Sequence, residues 1–203
     1  MKKLLGILIG IGLNFGSFAQ SGRLLDSLEL ENAQIFTSLK EAATISPDSV
    51  YRLHLKGKKL RDIPEAVFKF PNLQELVLTR NQFTEIPSSI VKLEKLQKLS
   101  FAKNHIKYIN PMLAQLKNLR ELVVSQNDLV ELPKELVDLQ NLVVLDVWSN
   151  ELEAVPSEFK NFKKLKRVDL RVIILTDSQK EDIQKHFPTG TEVLFSPGCN
   201  CGN

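Results

Sequence analysis

The stretch that decides the fold is Leu73-Gln-Glu-Leu-Val-Leu-Thr-Arg-Asn81, because similar stretches follow it at a fixed distance. It returns as Leu96-Gln-Lys-Leu-Ser-Phe-Ala-Lys-Asn104, Leu119-Arg-Glu-Leu-Val-Val-Ser-Gln-Asn127 and Leu142-Val-Val-Leu-Asp-Val-Trp-Ser-Asn150, each 23 residues after the previous one. Weaker copies begin at Val50 and Leu165, which gives six units over residues 50–187. A fixed period of this length predicts a solenoid, in which stacked units share one hydrophobic core.

Each unit has the pattern of a short strand followed by a turn. The fourth and sixth residues, such as Leu76 and Leu78, are apolar and alternate with non-core residues, as in a strand with one buried face. An apolar residue followed by Pro, as in Ile86-Pro87, then forces a turn because Pro lacks an N–H and holds its predecessor extended. The ninth residue is Asn in four units, and its amide both donates and accepts hydrogen bonds where the chain leaves the strand. These predicted structural asparagines are Asn81, Asn104, Asn127 and Asn150.

The pattern L-x-x-L-x-L-x-x-N-x-[LFI]-x-x-[IL]-P resembles the leucine-rich-repeat family in its 23-residue bacterial form. The resemblance implies an α/β fold, a right-handed solenoid with short parallel strands on the concave face and 3₁₀ or short helices on the convex face. It also implies a role as an interaction scaffold. Lys58 and Ile173 replace the Asn of the first and sixth units, and Asn110-Pro111 shifts the Pro of the third. We therefore expect the outermost units to be edge coils.

The first nineteen residues have the pattern of a secretory signal peptide. Lys2 and Lys3 precede the apolar run of residues 4–13, and Ser17-Phe18-Ala19 places small residues before a cut at Gln20. The apolar run is too short to span a bilayer of about 30 Å as a helix. We therefore expect a chain exported to the periplasm, the cell surface or the medium, without a membrane span in the mature form.

Non-repeat segments flank the repeats. Residues 20–49 are predicted to form a leader and a capping helix, which opens at Ser38 in a Ser-x-x-Glu capping box and ends before Pro47. After the last repeat, residues 176–188 are predicted to form an amphipathic capping helix, and residues 188–203 a final strand over 192–195 and a tail. Together with the helical cap at the amino end, these segments cover the ends of the shared core.

Composition excludes several classes of function. The net charge is +3, or 3 − 2 = +1 once Lys2 and Lys3 are removed, which is too small to indicate nucleic-acid binding. Both cysteines, Cys199 and Cys201, lie in the last five residues, so the repeats do not depend on disulfides. Two ligands do not make a metal site, and the sequence predicts neither a metal nor a cofactor. An intermolecular disulfide that joins two copies of the chain stays open.

The predicted binding site lies on the carboxyl-terminal half of the concave face. In the other half, the third-position column alternates in sign from Arg52 and Glu75 to Lys98 and Glu121, and so neutralises itself. Trp148, the single Trp, is predicted to be exposed beside Arg171, close enough for a cation–π contact. The alternative is that Trp148 packs flat on its neighbours or under the cap. The predicted site comprises Val123, Val144, Asp146, Trp148, Arg167, Asp169 and Arg171, and Val143 is also predicted to be exposed.

A hydrolytic site is the least favoured interpretation, and we do not expect an enzyme. Asp146 and Asp169 are column neighbours, at a spacing near the roughly 5–5.5 Å of retaining glycosidases. Arg167 and Arg171 flank Asp169 and are expected to keep both carboxylates ionised, whereas one would have to act as an acid. The His54 and Ser100 side chains lie about 10 Å apart, too far for nucleophile activation.

The sequence therefore predicts a non-enzymatic module that binds a protein or glycan of unknown identity. The alternative function is a structural envelope subunit that self-associates, as a homodimer for example, through the same face. Six strands offer a footprint of roughly 400–480 Å², below the roughly 800 Å² per partner of a standard interface. Tight binding would then also need a dimer or the adjoining tenth-position column, which comprises Lys59, Gln82, His105, Asp128, Glu151 and Ile174.

Overall fold

The structure, a computed structural model, describes residues 22–171 and 177–196. Eight parallel strands form one sheet in which each strand pairs with the strand before it and the strand after it in the chain. The strands are β1 (Ile35–Phe36), β2 (Arg52–His54), β3 (Glu75–Val77), β4 (Lys98–Ser100), β5 (Glu121–Val123), β6 (Val144–Asp146), β7 (Arg167–Asp169) and β8 (Glu192–Leu194). A sheet that grows by one strand per turn of the chain is a solenoid, so the predicted fold class is confirmed.

The register of the sheet reproduces the sequence period. From β2 to β7, each residue lies opposite the residue 23 positions later, so Leu53, Leu76 and Leu99 stack in one buried row. The row continues through Leu122, Leu145 and Val168. All six side chains are buried at the fourth position of their units. Side chains of the third and fifth positions lie on the opposite side of the sheet, which we call the open sheet face.

Short 3₁₀ helices form the side of each coil opposite the sheet. They span Glu65–Lys69, Ser88–Lys92, Pro111–Gln115, Lys134–Asp138 and Ser157–Asn161. Pro is the N-cap of four of them. In the third unit the N-cap is Asn110, whose side chain accepts a hydrogen bond from the Met112 N–H at 2.9 Å. The Asn110 side chain caps the helix at the position where the other units have Pro. The helix therefore begins at the equivalent position although the Pro of this unit is shifted by one residue.

The asparagine ladder connects neighbouring coils. The Asn127 side chain accepts a hydrogen bond from the Ile106 N–H and donates to the carbonyls of Phe101 and Val124. Asn81, Asn104 and Asn150 repeat the arrangement, and all four are buried. Each side chain satisfies backbone groups at the point where the strand ladder stops. The residue before each Asn, Lys103 for example, has a positive φ, which starts the turn out of the strand.

The amino-terminal cap is larger than the sequence analysis predicted. The expected helix is present as α2 (Leu39–Ala42), capped by the Ser38 side chain. A second helix, α1 (Ser27–Asn32), and strand β1 lie within the segment that was expected to be a variable leader. Asp26 and Glu29 form a reciprocal capping box that begins α1. We call residues 23–33 the leader segment.

The carboxyl-terminal cap closes the other end of the core. Helix α3 (Asp177–Gln184) is followed by the buried ring of Phe187, whose centroid lies 6.3 Å from that of Phe159. The His186 Nδ1 atom lies 2.8 Å from the Val155 carbonyl. Strand β8 then pairs with β7, as predicted for this segment. Several expectations fall outside the described residues, namely those on residues 1–19, Ile173, Ile174, Thr176, Cys199 and Cys201.

Candidate functional site

The amino-terminal half of the open sheet face is closed by ion pairs. The Arg52 guanidinium donates to both carboxylate oxygens of Glu75, at 3.0 and 3.1 Å, and the His54 ring bonds the same carboxylate. Burial raises the pKa of Glu75, which is 5% exposed, but the hydrogen bonds from His54 and Arg52 and the Arg52 charge outweigh it and hold that pKa below 4.5. These residues neutralise one another, as the alternating column predicted.

The leader segment covers the edge of the same half. The side-chain oxygen of Gln74 accepts from the Leu25 N–H at 2.8 Å, and its amide donates to the Arg23 carbonyl at 3.1 Å. The Gln97 amide donates to the Leu25 carbonyl at 2.8 Å. Both glutamines are buried although they occupy a position expected to face solvent. This cover was not predicted from the sequence, although the capping-box spacing of Asp26 and Glu29 indicates a helix there.

A groove of about 260 Å³ lies where the leader segment ends and the uncovered face begins. Its lining comprises Ser27, Leu30, Glu31, Gln97, Lys98, Arg120, Glu121, Val143 and Val144. The Lys98 ammonium lies between the Glu31 and Glu121 carboxylates, at 3.7 and 3.9 Å. Burial raises the pKa of Glu121 above its usual value despite the Lys98 charge. The groove is therefore lined by charged side chains on one side and by the apolar side chains of Val143 and Val144 on the other.

The carboxyl-terminal half of the open sheet face exposes a cluster of apolar side chains. Val123, Val143, Val144 and Trp148 are half-buried, and none of them belongs to the hydrophobic core. The Asp146 carboxylate accepts hydrogen bonds from the Ser125 hydroxyl at 3.0 Å and from the Trp148 N–H at 3.1 Å. Burial raises the pKa of Asp146, and these two hydrogen bonds oppose the rise without cancelling it. A partly buried carboxylate therefore lies beside Val123 on the sheet, as its register partner.

Asp169 and Arg171 form a closed pair beside this surface. The Arg171 guanidinium donates to both Asp169 oxygens, at 2.6 to 3.1 Å. Burial raises the pKa of Asp169, but the hydrogen bonds and charge of Arg171 outweigh it and hold that pKa below its usual value. Asp169 is 7% exposed, so its side chain is covered rather than presented. Arg167 is exposed and lies 3.8 Å from the Glu192 carboxylate.

One expectation about these residues is wrong. A cation–π contact was expected between Arg171 and Trp148, but within residues 22–171 and 177–196 the single cation–π contact is that of Lys92 with Phe68. A bidentate bond to a carboxylate is stronger than a cation–π contact, so Asp169 takes the guanidinium. Both aspartates were expected to be held ionised by the arginines. The bonds from Arg171 lower the pKa of Asp169, whereas burial raises that of Asp146.

Asp146 and Asp169 are register partners on β6 and β7 and lie side by side on the sheet. Retaining glycosidases need one protonated and one free carboxylate on opposite sides of the scissile bond. Both oxygens of Asp169 accept hydrogen bonds from Arg171, and those of Asp146 accept from the Ser125 hydroxyl and the Trp148 N–H. Both carboxylates therefore already accept hydrogen bonds within the chain.

Comparison with known proteins places this geometry in a family. The model of the family described as leucine rich repeat matches residues 48–106 and again residues 71–129, which include strands β2 to β5. Over residues 48–129 the chain is therefore similar to leucine-rich repeats. A leucine-rich-repeat protein of Leptospira interrogans has a similar solved structure, with a TM-score of 0.62 and 25% sequence identity. The alignment covers 81% of this chain and 47% of that protein, so this chain spans about half of its length.

These findings support membership of the leucine-rich-repeat family, whose domains generally mediate protein–protein interaction and are typically non-enzymatic. No curated protein matches the sequence. In residues 22–171 and 177–196, no helix has the length and apolar content needed to cross a bilayer. Over the same residues, three or more His, Cys, Asp or Glu side chains nowhere come together as a metal site would require.

Proposed function

We propose that this leucine-rich-repeat chain is a non-enzymatic module that binds a protein partner on the carboxyl-terminal half of its open sheet face. The observation that carries the proposal is Trp148, half-buried like Val123 and Val144, on the part of the sheet that the leader segment does not cover. Indole and arginine side chains contribute most to interface energies when a partner buries them. The apolar surface adjoins charged groups that orient a partner, namely Asp146, Arg167 and the Asp169–Arg171 pair.

The distribution of charge supports this choice of half. In the amino-terminal half, ion pairs and the leader segment already occupy the polar groups that a partner would need. A partner there would have to break buried hydrogen bonds, each of which costs about 1–3 kcal/mol when one group is left unpaired. The carboxyl-terminal half offers apolar area without that cost.

The experiment is a pull-down from bacterial envelope and host extracts with three forms of the chain. Wild-type protein is expected to capture a defined partner, and Trp148→Ala to lose it while keeping its melting temperature within about 2 °C. Lys160→Ala, an exposed substitution in a 3₁₀ helix away from the sheet, is the matched control and is expected to bind as wild type. Capture of the same partner by Trp148→Ala would remove the proposed site. Enrichment of glycans instead of protein would assign the other class of ligand.

Self-association is a second candidate function, favoured by the groove beside Val143 and Val144. Two copies could bury their half-exposed valines and Trp148 against each other. Analytical ultracentrifugation distinguishes the two functions, because self-association predicts a dimer at micromolar concentration and a blue-shifted, quencher-protected Trp148 emission. A monomer with accessible Trp148 supports a separate partner.

We further propose that the chain is exported and processed. The basic Lys2 and Lys3, the apolar residues 4–13 and Ser17-Phe18-Ala19 support this proposal. Expression in a bacterium, fractionation and mass spectrometry are expected to find a periplasmic or extracellular chain beginning at Gln20. A cytoplasmic chain that retains Lys2 and Lys3 would contradict it.

A further inference from the structure

A second surface of the solenoid has unusual exposure. Over residues 50–171, exactly two large apolar side chains are exposed, Tyr108 at 58% and Met112 at 42%, and both belong to the third unit. Other described units have Asp62, Glu85, Glu131 and Ala154 at the position of Tyr108. At the position of Met112 they have Ala66, Ser89, Glu135 and Glu158. One coil has therefore gained two exposed apolar side chains where its neighbours are mostly polar or small.

The same coil borders a groove of about 510 Å³. Its lining includes Tyr108, the buried Ile109 and the exposed Asn110, together with Glu85 and Glu131 from the coils on either side. The groove lies where the coils enter their 3₁₀ helices and shares no residue with the open sheet face. Asn110 occupies the place that Pro takes in the neighbouring coils, as Pro87 and Pro133 do.

The charges of the groove are unpaired, in contrast to those of the open sheet face. Among the residues that the structure describes, neither Glu85 nor Glu131 has a side-chain ion pair or hydrogen bond. Lys107 also lines the groove but pairs with neither carboxylate, so the lining has a formal charge of 1 − 2 = −1. Two free carboxylates therefore stand on either side of an exposed aromatic ring that no cation occupies.

We propose that the Tyr108 groove is a second docking surface, which receives a basic segment of a protein partner. An arginine or lysine side chain lies against the ring of Tyr108 in a cation–π contact, and its charge pairs with Glu85 and Glu131. Met112 is available to the apolar part of the same segment. An acidic lining excludes nucleic acid and anionic lipid as the occupant. The proposal does not depend on the site around Trp148.

The test uses a probe of stated chemistry, the peptide acetyl-Gly-Arg-Gly-amide, with acetyl-Gly-Glu-Gly-amide as the matched acidic peptide. In an NMR titration of the full chain, the basic peptide is expected to shift the Tyr108 ring and Lys107 amide signals with a saturable millimolar curve. The acidic peptide is expected to leave them unchanged. Because the interaction is ionic, 0.5 M salt is expected to weaken it.

Three variants make the test specific. Tyr108→Ala is expected to weaken binding about three- to fivefold, and Glu85→Gln combined with Glu131→Gln to reduce it further. Lys107→Gln is expected to strengthen it, which a merely structural role for the groove does not predict. Glu65→Gln, an exposed substitution outside the groove, is the control. Equal shifts from both peptides, no shift at Tyr108, or unchanged binding by the double glutamine variant would overturn the proposal.

Discussion

The side-chain amide of Gln97 donates a hydrogen bond to the carbonyl oxygen of Leu25, a residue 72 positions earlier in the chain. Gln74 receives the N–H of the same Leu25 and is itself 0% exposed. The segment that leads into α1 is thus fastened to two consecutive coils through the N–H and the carbonyl of one residue. The contact decides how much of the sheet a partner can reach.

Gln74→Ala is expected to release the leader segment. The substitution leaves the Leu25 N–H and the Arg23 carbonyl without partners, at a cost of about 1–3 kcal/mol per buried group. Limited proteolysis is expected to cut within residues 23–33 faster than in wild type, with the repeats intact. Gln115→Ala, an exposed substitution, serves as the control. Equal cleavage rates would show that other contacts hold the leader segment.

The asparagine ladder predicts a cooperative loss of stability. Asn127→Ala leaves the Ile106 N–H and two carbonyls without side-chain partners in the interior, so the free energy of unfolding is expected to fall by about 2–4 kcal/mol. Asn161→Ala, at an exposed position in a 3₁₀ helix, is expected to change it by less than about 0.5 kcal/mol. Urea denaturation measures both values. Similar losses for the two variants would mean that ladder bonds and surface positions contribute alike.

The positive φ angles of the residues before the ladder asparagines predict that substitution by Gly increases stability. Lys103 has a φ of 58°, which costs a residue with a Cβ about 1 kcal/mol or more, whereas Gly adopts it freely. Since Gly also loses more entropy on folding, Lys103→Gly is expected to stabilise by about 0.5 kcal/mol. Lys103→Val is expected to destabilise by at least that amount. Thermal melts compare the two variants, and a stabilising Val would contradict the backbone argument.

Glu75 is expected to make stability fall in acid. Its pKa is held below 4.5 in the folded chain, so the stabilisation from the Arg52 and His54 bonds is complete above the unfolded pKa. It is lost as the pH falls through the folded pKa. Glu75→Gln is expected to lose up to about 3 kcal/mol at pH 7 and to flatten the acid limb of the stability curve. Urea denaturation from pH 7 to pH 3 measures it, with the exposed Glu65→Gln as the reference.

The expected pH dependence of stability from Asp146 is opposite in sign to that from Glu75. Burial raises its pKa above the usual value, so its ionisation destabilises the folded chain above the folded pKa, and the penalty disappears as the pH falls below the unfolded pKa. Asp146→Asn is expected to be at least as stable as wild type at pH 7. The Asn oxygen still accepts from the Trp148 N–H, and its amide can donate to the Ser125 hydroxyl. A less stable variant at pH 7 would show that the charge is needed.

Strand positions were predictable because they depend on the period alone. Leu76, Leu99 and Leu122 occupy the same position in consecutive units. Residues at the same position of stacked units pair across adjacent strands, so the period also determines the register of the sheet. The contacts of the leader segment were not predictable in this way, because no second copy of that segment exists with which to align it. Gln74 and Gln97 then looked like solvent-facing residues. Their burial depends on a tertiary contact that only the folded chain reveals.

The candidate site was predictable as a surface but not in its detailed bonding. The column pattern placed Val144, Asp146 and Trp148 on one side of the sheet, where they are found. Arg171 bonds Asp169 and does not lie on Trp148 because of the rotamer that its side chain adopts. An alignment of repeat units does not give the distances that decide between these rotamers. Tyr108 was not predicted to line a site because it lies outside the strand positions and the apolar-Pro pair that define the repeat.

Attachment of the leader segment to Gln74 and Gln97 also sets where the length of this molecule is free to change. A whole coil of 23 residues added or deleted after residue 119 leaves every leader bond in place and moves only the distance between the two caps. A coil inserted between Gln74 and Gln97 would move these two side chains apart by an extra strand spacing of about 4.8 Å. The N–H and the carbonyl of the single residue Leu25 could then no longer reach both side chains. Duplication and loss of repeats in descendants of such a chain are therefore confined to its carboxyl-terminal half, so the half that presents Trp148 is also the half that evolution can lengthen.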